Sequence, residues 1–495
     1  MMITTNAKLS TLGETALTSP DDYRGVGITF PDGFIFGAAT AAYQIEGAVH
    51  EGGRGPSIWD TFSHTPGKTL NGDTGDVADD HYHRLEEDLD LVKSLGLGAY
   101  RFSIAWPRIQ PAGRGPANQD GIRFYNRVID GLIARGVTPV ATLYHWDLPQ
   151  ALEDEGGWVN RDTAYAFADY ARIAGEAFGD RVSVWTTLNE PWCSAFLGYG
   201  TGEHAPGHTS SLEALTAAHH LNLAHGLGLA ALREVVTNPG AKFSVTLNTF
   251  QLVGEGEGGP EAVRRIDAVA NRVFTHPMLK GEYPADLLAD TAAITDWGFV
   301  KDGDLELIRQ PVDYLGINYY MTSFVTLKDP ESVGEPEGAG GIMVRGTTFP
   351  GADRVEFISK PGPYTTYGWT IDPAGLEDLL VEMSRQFPDL PLLVTENGSA
   401  FQDEVVNERG VKTVQDVERT DYLRRHFTAA RRAIDRGVDL RGYFVWSLLD
   451  NFEWNHGYAQ RFGIVRVDFD TLERIPKDSS RWYSQLATTG AFPKA

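Results

Sequence analysis

The sequence predicts an α/β protein, a single (β/α)8 (TIM) barrel with long βα loops. Two observations carry that prediction and a third removes its main rival. Short apolar, β-rich runs recur at 34–39, 99–105, 139–145, 182–189, 243–248, 314–319, 392–396 and 442–448. Amphipathic helical stretches alternate with them, and no low-complexity linker divides the 495 residues. Such alternation is that of a parallel sheet closed under a layer of helices. The rival, a pair of doubly wound domains, needs a Gly-rich phosphate turn after an early strand, and none is present. Gly338-Ala339-Gly340-Gly341 falls in a long loop instead.

Each element has a local cause. The strand runs are almost continuously apolar, as strands covered on both faces must be. Leu85, Leu89, Val92 and Leu95 step along one helical face. Ile122, Tyr125, Ile129, Leu132 and Ile133 form a second stripe, and Leu423, Phe427, Ala430 and Ile434 a third. Asp372-Pro373 provides an N-cap and a first-turn proline ahead of Leu376, Leu379, Leu380 and Met383. Gly136 and Gly437 end helices just before the next strand. Residues 1–28 are Thr- and Ser-rich, with neither a basic start nor an apolar segment. They read as a flexible N-terminal extension before a catalytic barrel at 29–487 and a C-terminal tail at 488–495.

Composition narrows the function. Lys and Arg number 43 against 67 Asp and Glu, a net charge of −24. That surface disfavours nucleic acid and anionic membranes as partners. No apolar run reaches the length of a membrane span, and a cytoplasmic location is expected. Cys193 is the single cysteine, which excludes a disulfide framework and a multi-cysteine zinc site. Lying beside Trp192, it reads as a small buried side chain. His219, His220 and His225 share a helix at roughly 211–234 but not one face, so no metal is expected. No cofactor is called for. The acidic stretches at 254–260 and 403–409 read as solvated loops.

Chemistry in such a barrel collects at the C-terminal strand ends. Taken in order, these carry Gln44, Arg101, His145-Trp146-Asp147, Asn189-Glu190-Pro191, Asn248, Asn318-Tyr319-Tyr320, Thr395-Glu396-Asn397-Gly398 and Trp446-Ser447. Amides, indoles and carboxylates of this kind suit a neutral, hydroxyl-rich ligand. Glu190 and Glu396 stand on strands four and seven, which face each other across the barrel. Two carboxyl groups about 5–5.5 Å apart cleave a glycosidic bond with retention of configuration.

Thr187-Leu188-Asn189-Glu190-Pro191 and Val394-Thr395-Glu396-Asn397-Gly398 resemble the two catalytic signatures of glycoside hydrolase family 1, the β-glucosidase family. The block 36–47 is similar to its N-terminal signature, and blocks 101–109, 143–149 and 446–454 match further ones, in order, over roughly 29–487. The resemblance implies Glu190 as acid/base and Glu396 as nucleophile, with Arg101 and Asn318 in support. It implies Gln44, His145, Asn189, Trp446 and Glu453 as holders of the sugar hydroxyls. Trp454 would lie at the sugar's far edge, Tyr320 would bond Glu396 within the same site, and Trp192 and Trp369 would face the leaving group. It also implies a cis peptide at Trp446-Ser447.

The expected function is that of a retaining exo-β-glucosidase acting on small neutral β-glycosides: cellobiose, short β-gluco-oligosaccharides and aryl or alkyl β-glucosides. Alternatives are a β-galactosidase or β-fucosidase, a 6-phospho-β-glucosidase, and a non-catalytic sugar-binding relative. Glu453 argues against the phosphorylated sugar, and the presence of both glutamates argues against a dead relative.

Overall fold

The computed structural model describes Tyr23 and residues 27–328, 349–408 and 410–493. Most of the expected N-terminal extension and the glycines at 338–341 lie outside the described residues.

Eight parallel strands close into one barrel. They are β1 (Ile35–Ala39), β2 (Ala99–Ser103), β3 (Thr138–Tyr144), β4 (Val184–Asn189), β5 (Lys242–Leu247), β6 (Tyr314–Asn318), β7 (Leu392–Asn397) and β8 (Leu440–Trp446). Each pairs with its neighbours in sequence, and β1 pairs with β8, from Ile35↔Gly442 to Ala39↔Trp446, to close the ring. Every residue of β2, β4 and β7 is buried, as expected of strands walled by helices outside and packed side chains inside. The register slips at two places that matter. It breaks in β4 between Thr186 and Asn189, and in β7 after Val394 on both of its edges. Such irregularities re-aim side chains, and here they lie at the ends of the strands that carry Glu190 and Glu396.

The helices follow their capping chemistry. Ser210 Oγ accepts from Glu213 N at 3.3 Å to start Ser211–Val235. Asn118 likewise opens Gln119–Ala134. In that helix the buried face is Phe124, Tyr125, Val128, Ile129 and Leu132. Ile133 is 44% exposed and Ile122 only half-buried, because consecutive helical residues diverge by a quarter turn or more and both adjoin the stripe rather than lie on it.

The segment at 28–30 meets the end of the last helix and the residues after it. Phe492 N donates to Ile28 O at 2.9 Å, and the Phe492 ring packs edge-on against Trp482. Helix Asp478–Thr489 runs through the expected boundary at 487. Tyr23 is buried and its hydroxyl donates to Glu377 at 2.9 Å.

The stretch at 403–409, expected as a solvated loop, departs from expectation: Val405–Glu408 is a strand paired antiparallel with Val411–Val414. Asp403 is not solvated: its buried carboxylate pairs with Arg419 at 3.0 Å and with the fully buried ammonium of Lys477. Lys477 also holds Asp450 at 2.8 Å, and Asp450 in turn binds Arg461 at 2.9 Å. One carboxylate at the start of an otherwise largely exposed stretch is buried here because cations from helix Val417–Asp435 and from the start of helix Asp478–Thr489 neutralise it. The network ties the loops after β7 and β8 to the last helix. Among the described residues no helix is long and apolar enough to cross a membrane.

Candidate active site

A cavity of about 150 Å³ opens at the C-terminal end of the barrel. Its lining includes His145, Glu190, Trp192, Asn318, Tyr320, Trp369, Glu396, Trp446, Glu453 and Trp454. Gln44, Arg101 and Asn189 are fully buried, and Arg101 and Asn189 reach the lining through hydrogen bonds to Glu396, His145 and Asn318.

The two glutamates are held in contrasting ways. Glu396 Oε1 accepts from the Arg101 guanidinium at 2.6 Å, and its Oε2 accepts from the Tyr320 hydroxyl at 2.8 Å. Glu190 meets no cation directly. Its Oε1 accepts from Asn318 Nδ2 at 2.7 Å, and its Oε2 from the Cys193 thiol at 3.3 Å. Burial, and next the charge of Glu396, push the Glu190 carboxyl well above the usual carboxylate range. Burial raises Glu396 too, but Arg101, Tyr320 and Asn318 pull it back. The pair therefore ionises first at Glu396.

The amides are oriented by the same network. Asn189 Oδ1 accepts from Arg101 at 2.6 Å and from Asn318 Nδ2 at 3.1 Å. Its Nδ2 must then be the donor to His145 Nε2, 3.1 Å away. Burial, then the charge of Arg101, hold the His145 pKa far below its ordinary value, so the ring is neutral. Thr395 donates to Asn318 Oδ1 at 2.7 Å, which fixes that amide as well.

At the opposite edge, Gln44 Nε2 donates to Asn451 Oδ1 at 3.0 Å and to Phe452 O at 2.9 Å. Gln44 Oε1 and Glu453 Oε2 have no hydrogen-bond partner among the described residues. Burial, then the charges of Glu396 and Glu190, push Glu453 up to about 8. Its neutral form is thereby favoured. The Trp446-Ser447 peptide is cis. Trp446 lies parallel to the His145 ring, with centroids 5.8 Å apart, and Trp454 packs on Trp59 and Trp146, each at 4.5 Å.

Two aromatic walls flank the mouth. Trp192 contacts Phe250 at 4.9 Å and Phe349 at 5.4 Å. Trp369, also in the lining, stacks on Tyr367 at 4.1 Å and leans on Tyr320 at 5.1 Å.

The sequence assigns no role to the lining residues His204, Tyr367 and Phe462, nor to Trp146 at its strand end. Trp146 has φ +78° and donates its indole N–H to Asn189 O at 2.9 Å. Glu190 and Trp454 share that left-handed backbone, at φ +46° and +52°. Such conformations are costly for bulky residues and gather at functional sites. Cys193 is buried as expected, yet it touches Glu190, a contact that its spacing of three from the glutamate foreshadows. The histidines of helix Ser211–Val235 have structural partners. His219 binds Tyr283 and Asp304, His220 the Trp158 carbonyl and His225 the Thr187 hydroxyl. Among the described residues no three His, Cys, Asp or Glu side chains are placed to hold a metal ion.

The model of the family described as "Glycosyl hydrolase family 1" matches residues 26–492. The "Bifunctional beta-D-glucosidase/beta-D-fucosidase" of Bifidobacterium breve is 55% identical over 463 residues, 92% of this chain and 98% of that protein. "Beta-glucosidase A" of Thermotoga maritima is 45% identical over 460 residues, 92% of this chain and 97% of that protein. The crystal structure of the psychrophilic β-glucosidase of Micrococcus antarcticus matches with a TM-score of 0.88 at 45% identity, covering 94% of this chain and 98% of that one.

Proposed function

The chain belongs to glycosyl hydrolase family 1 and is a β-glucosidase, and from that premise we propose that it is a retaining, exo-acting enzyme that releases glucose from small neutral β-glucosides such as cellobiose, short β-gluco-oligosaccharides and aryl or alkyl glucosides. The observation that carries this reading is the unequal treatment of two buried carboxyls in one cavity. Glu396 is paired with a guanidinium and kept as the anion. Glu190 is denied a cation and kept protonated.

The chemistry follows from that inequality. Glu396 attacks the anomeric carbon while Glu190 gives its proton to the departing oxygen. Esterified, Glu396 no longer carries charge. The repulsion that raised Glu190 is gone, and Glu190 becomes the base that activates water. Asn318 bonds Glu190 and also helps hold the charge of Glu396. Two carboxyls within reach of one amide fit the close spacing of retaining pairs rather than the wider one that leaves room for a water. Asn189, fixed as a donor, is suited to the sugar 2-hydroxyl. Gln44 Oε1 and Glu453 are suited to hydroxyls at the far edge.

Among the described residues the cavity lining holds the carboxyls of Glu190, Glu396 and Glu453 and neither lysine nor arginine. A sugar phosphate would enter without a counter-ion, which favours neutral sugars. A β-fucosidase activity is the second reading, supported by the bifunctional name of the Bifidobacterium breve relative. Fucose differs from glucose only at the edge assigned to Gln44 and Glu453. The test is proton NMR of the first-formed anomer from p-nitrophenyl β-glucoside, β-fucoside and 6-phospho-β-glucoside. β-Glucose formed first, with the phosphorylated substrate slowest, is expected. α-Glucose formed first would refute retention, and preference for the phosphate would refute the neutral site.

A further inference from the structure

We propose that Cys193 and Asn248 are positioning residues that set, through the oxygen Oε2, how readily Glu190 parts with its catalytic proton. The inference rests on Glu190 being the acid/base and extends to how its proton is placed.

The two oxygens of Glu190 are not equivalent. Oε1 faces Asn318 Nδ2 at 2.7 Å, and Nδ2 is fixed as a donor because it also faces Asn189 Oδ1 at 3.1 Å, an oxygen that accepts from Arg101, while Thr395 meets the other end of the amide at 2.7 Å. A carboxylic acid presents its carbonyl oxygen, the better acceptor, to such a donor. The proton is left on Oε2. That oxygen lies 3.3 Å from Cys193 Sγ. Asn248, at the end of β5, donates its Nδ2 to the same sulfur at 3.7 Å. With a sulfur lone pair engaged by Asn248, the thiol hydrogen is free to turn toward Oε2. Both residues line the cavity beside Glu190. The short path from Glu190 to Cys193 is closed by the turn after β4, in which Cys193 N donates to Glu190 O at 3.0 Å.

The consequence is graded. A thiol is a weak donor. It orients Oε2 in the acid form and gives the carboxylate form only modest help, so the proton stays available for transfer. Transfer breaks the Oε2–H bond, the proton joins the glycosidic oxygen, and the electron pair of the broken C1–O bond stays with the leaving group. A hydroxyl in the same place would stabilise the carboxylate more and make Glu190 a stronger acid. An alkyl group would do the reverse.

Other ionisable groups face Glu190 from each side: Glu396 from β7, Arg101 from β2, His145 from β3, Tyr320 after β6 and Glu453 after β8. Glu203 faces Cys193 from the segment beyond it. Substitution at 193 leaves all of them in place, so a change in the alkaline limb reports the atom opposite Oε2.

The experiment is the pH profile of kcat/KM on p-nitrophenyl β-glucoside for the wild type, Cys193→Ser, Cys193→Val, Asn248→Leu and the Cys193→Val/Asn248→Leu double variant. Cys193→Ser should lower the alkaline limb by about half a pH unit, roughly threefold in rate above it. Cys193→Val should raise the limb. Asn248→Leu should raise it alone and add nothing in the Val background, since the two act through one sulfur. If Val does not fold, the Ser and Asn248 shifts suffice. Alkaline limbs that coincide in all variants while rates fall would overturn the proposal and leave Cys193 as packing. A failure of the acid/base reading looks different: Glu190→Ala would then keep the wild-type alkaline limb.

Discussion

Tyr320→Phe removes one oxygen, 2.8 Å from Glu396 Oε2, and leaves the ring. The magnitude can be worked from that contact. A hydrogen bond to a buried charged group contributes about 1.5–3 kcal/mol. At 1.36 kcal/mol per unit, losing it raises the Glu396 pKa by about 1–2 units. The Arg101 pair at 2.6 Å remains, so the carboxylate still forms, only at higher pH. The sign follows from the role. Glu396 must be ionised to attack, Tyr320 favours the ionised form, and its loss therefore costs activity on the acid side. The acid limb of kcat/KM on p-nitrophenyl β-glucoside should move up by about one unit or more while the alkaline limb, set by Glu190, moves less. An acid limb that stays in place beneath a uniform loss of rate would refute the reasoning and reduce Tyr320 to a shape-filling residue.

Glu190→Ala should slow alkyl glucosides by several orders of magnitude more than dinitrophenyl glucosides, whose leaving groups need no proton; equal losses in kcat/KM would count against the acid role. Glu453→Ser should lower kcat/KM on the β-glucoside by roughly 10–100-fold, through lost hydrogen bonds to the far edge, and lower it less on the β-fucoside, which lacks the 6-hydroxyl; an unchanged ratio of the two would count against Glu453 as the reader of that edge. Lys477→Met removes the buried ammonium shared by Asp403 and Asp450 and leaves each with one arginine, Arg419 and Arg461. Breaking a buried pair costs about 3–5 kcal/mol, and calorimetry should show Tm lower by about 3–5 °C for a chain of this length; an unchanged Tm would mean that the network contributes little.

The barrel was legible because its two periodicities are written in apolar residues. Each of the runs at 34–39 through 442–448 became a barrel strand, with no end shifted by more than two residues. Parts that depend on charge were less legible. Asp403 reads as solvated because a sequence shows neither Lys477 nor Arg419 coming to meet it across the fold. Ile133 reads as core because a stripe drawn by spacing is wider than the face the neighbouring helices cover.

The site divides along the same line. Residue types at strand ends reveal which groups meet in the cavity, and Glu190, Glu396, Arg101, Asn318 and Tyr320 do meet there. Their direction is another matter, since an asparagine in a sequence has no donor end. Arg101 supplies it. One guanidinium bonds Glu396 through one nitrogen and Asn189 Oδ1 through the other, each at 2.6 Å. It thereby sets the charge of the nucleophile and turns the Asn189 amide so that its N–H groups face away from the arginine. Asn318, donating to both Asn189 Oδ1 and Glu190 Oε1, carries that orientation across to the second carboxyl. The asymmetry between the two glutamates thus starts from a single buried cation on β2. Placed between them, it would have ionised both and left no acid. Placed against Glu396 alone, with only amide and thiol donors reaching Glu190, it leaves one anion and one proton in the same cavity.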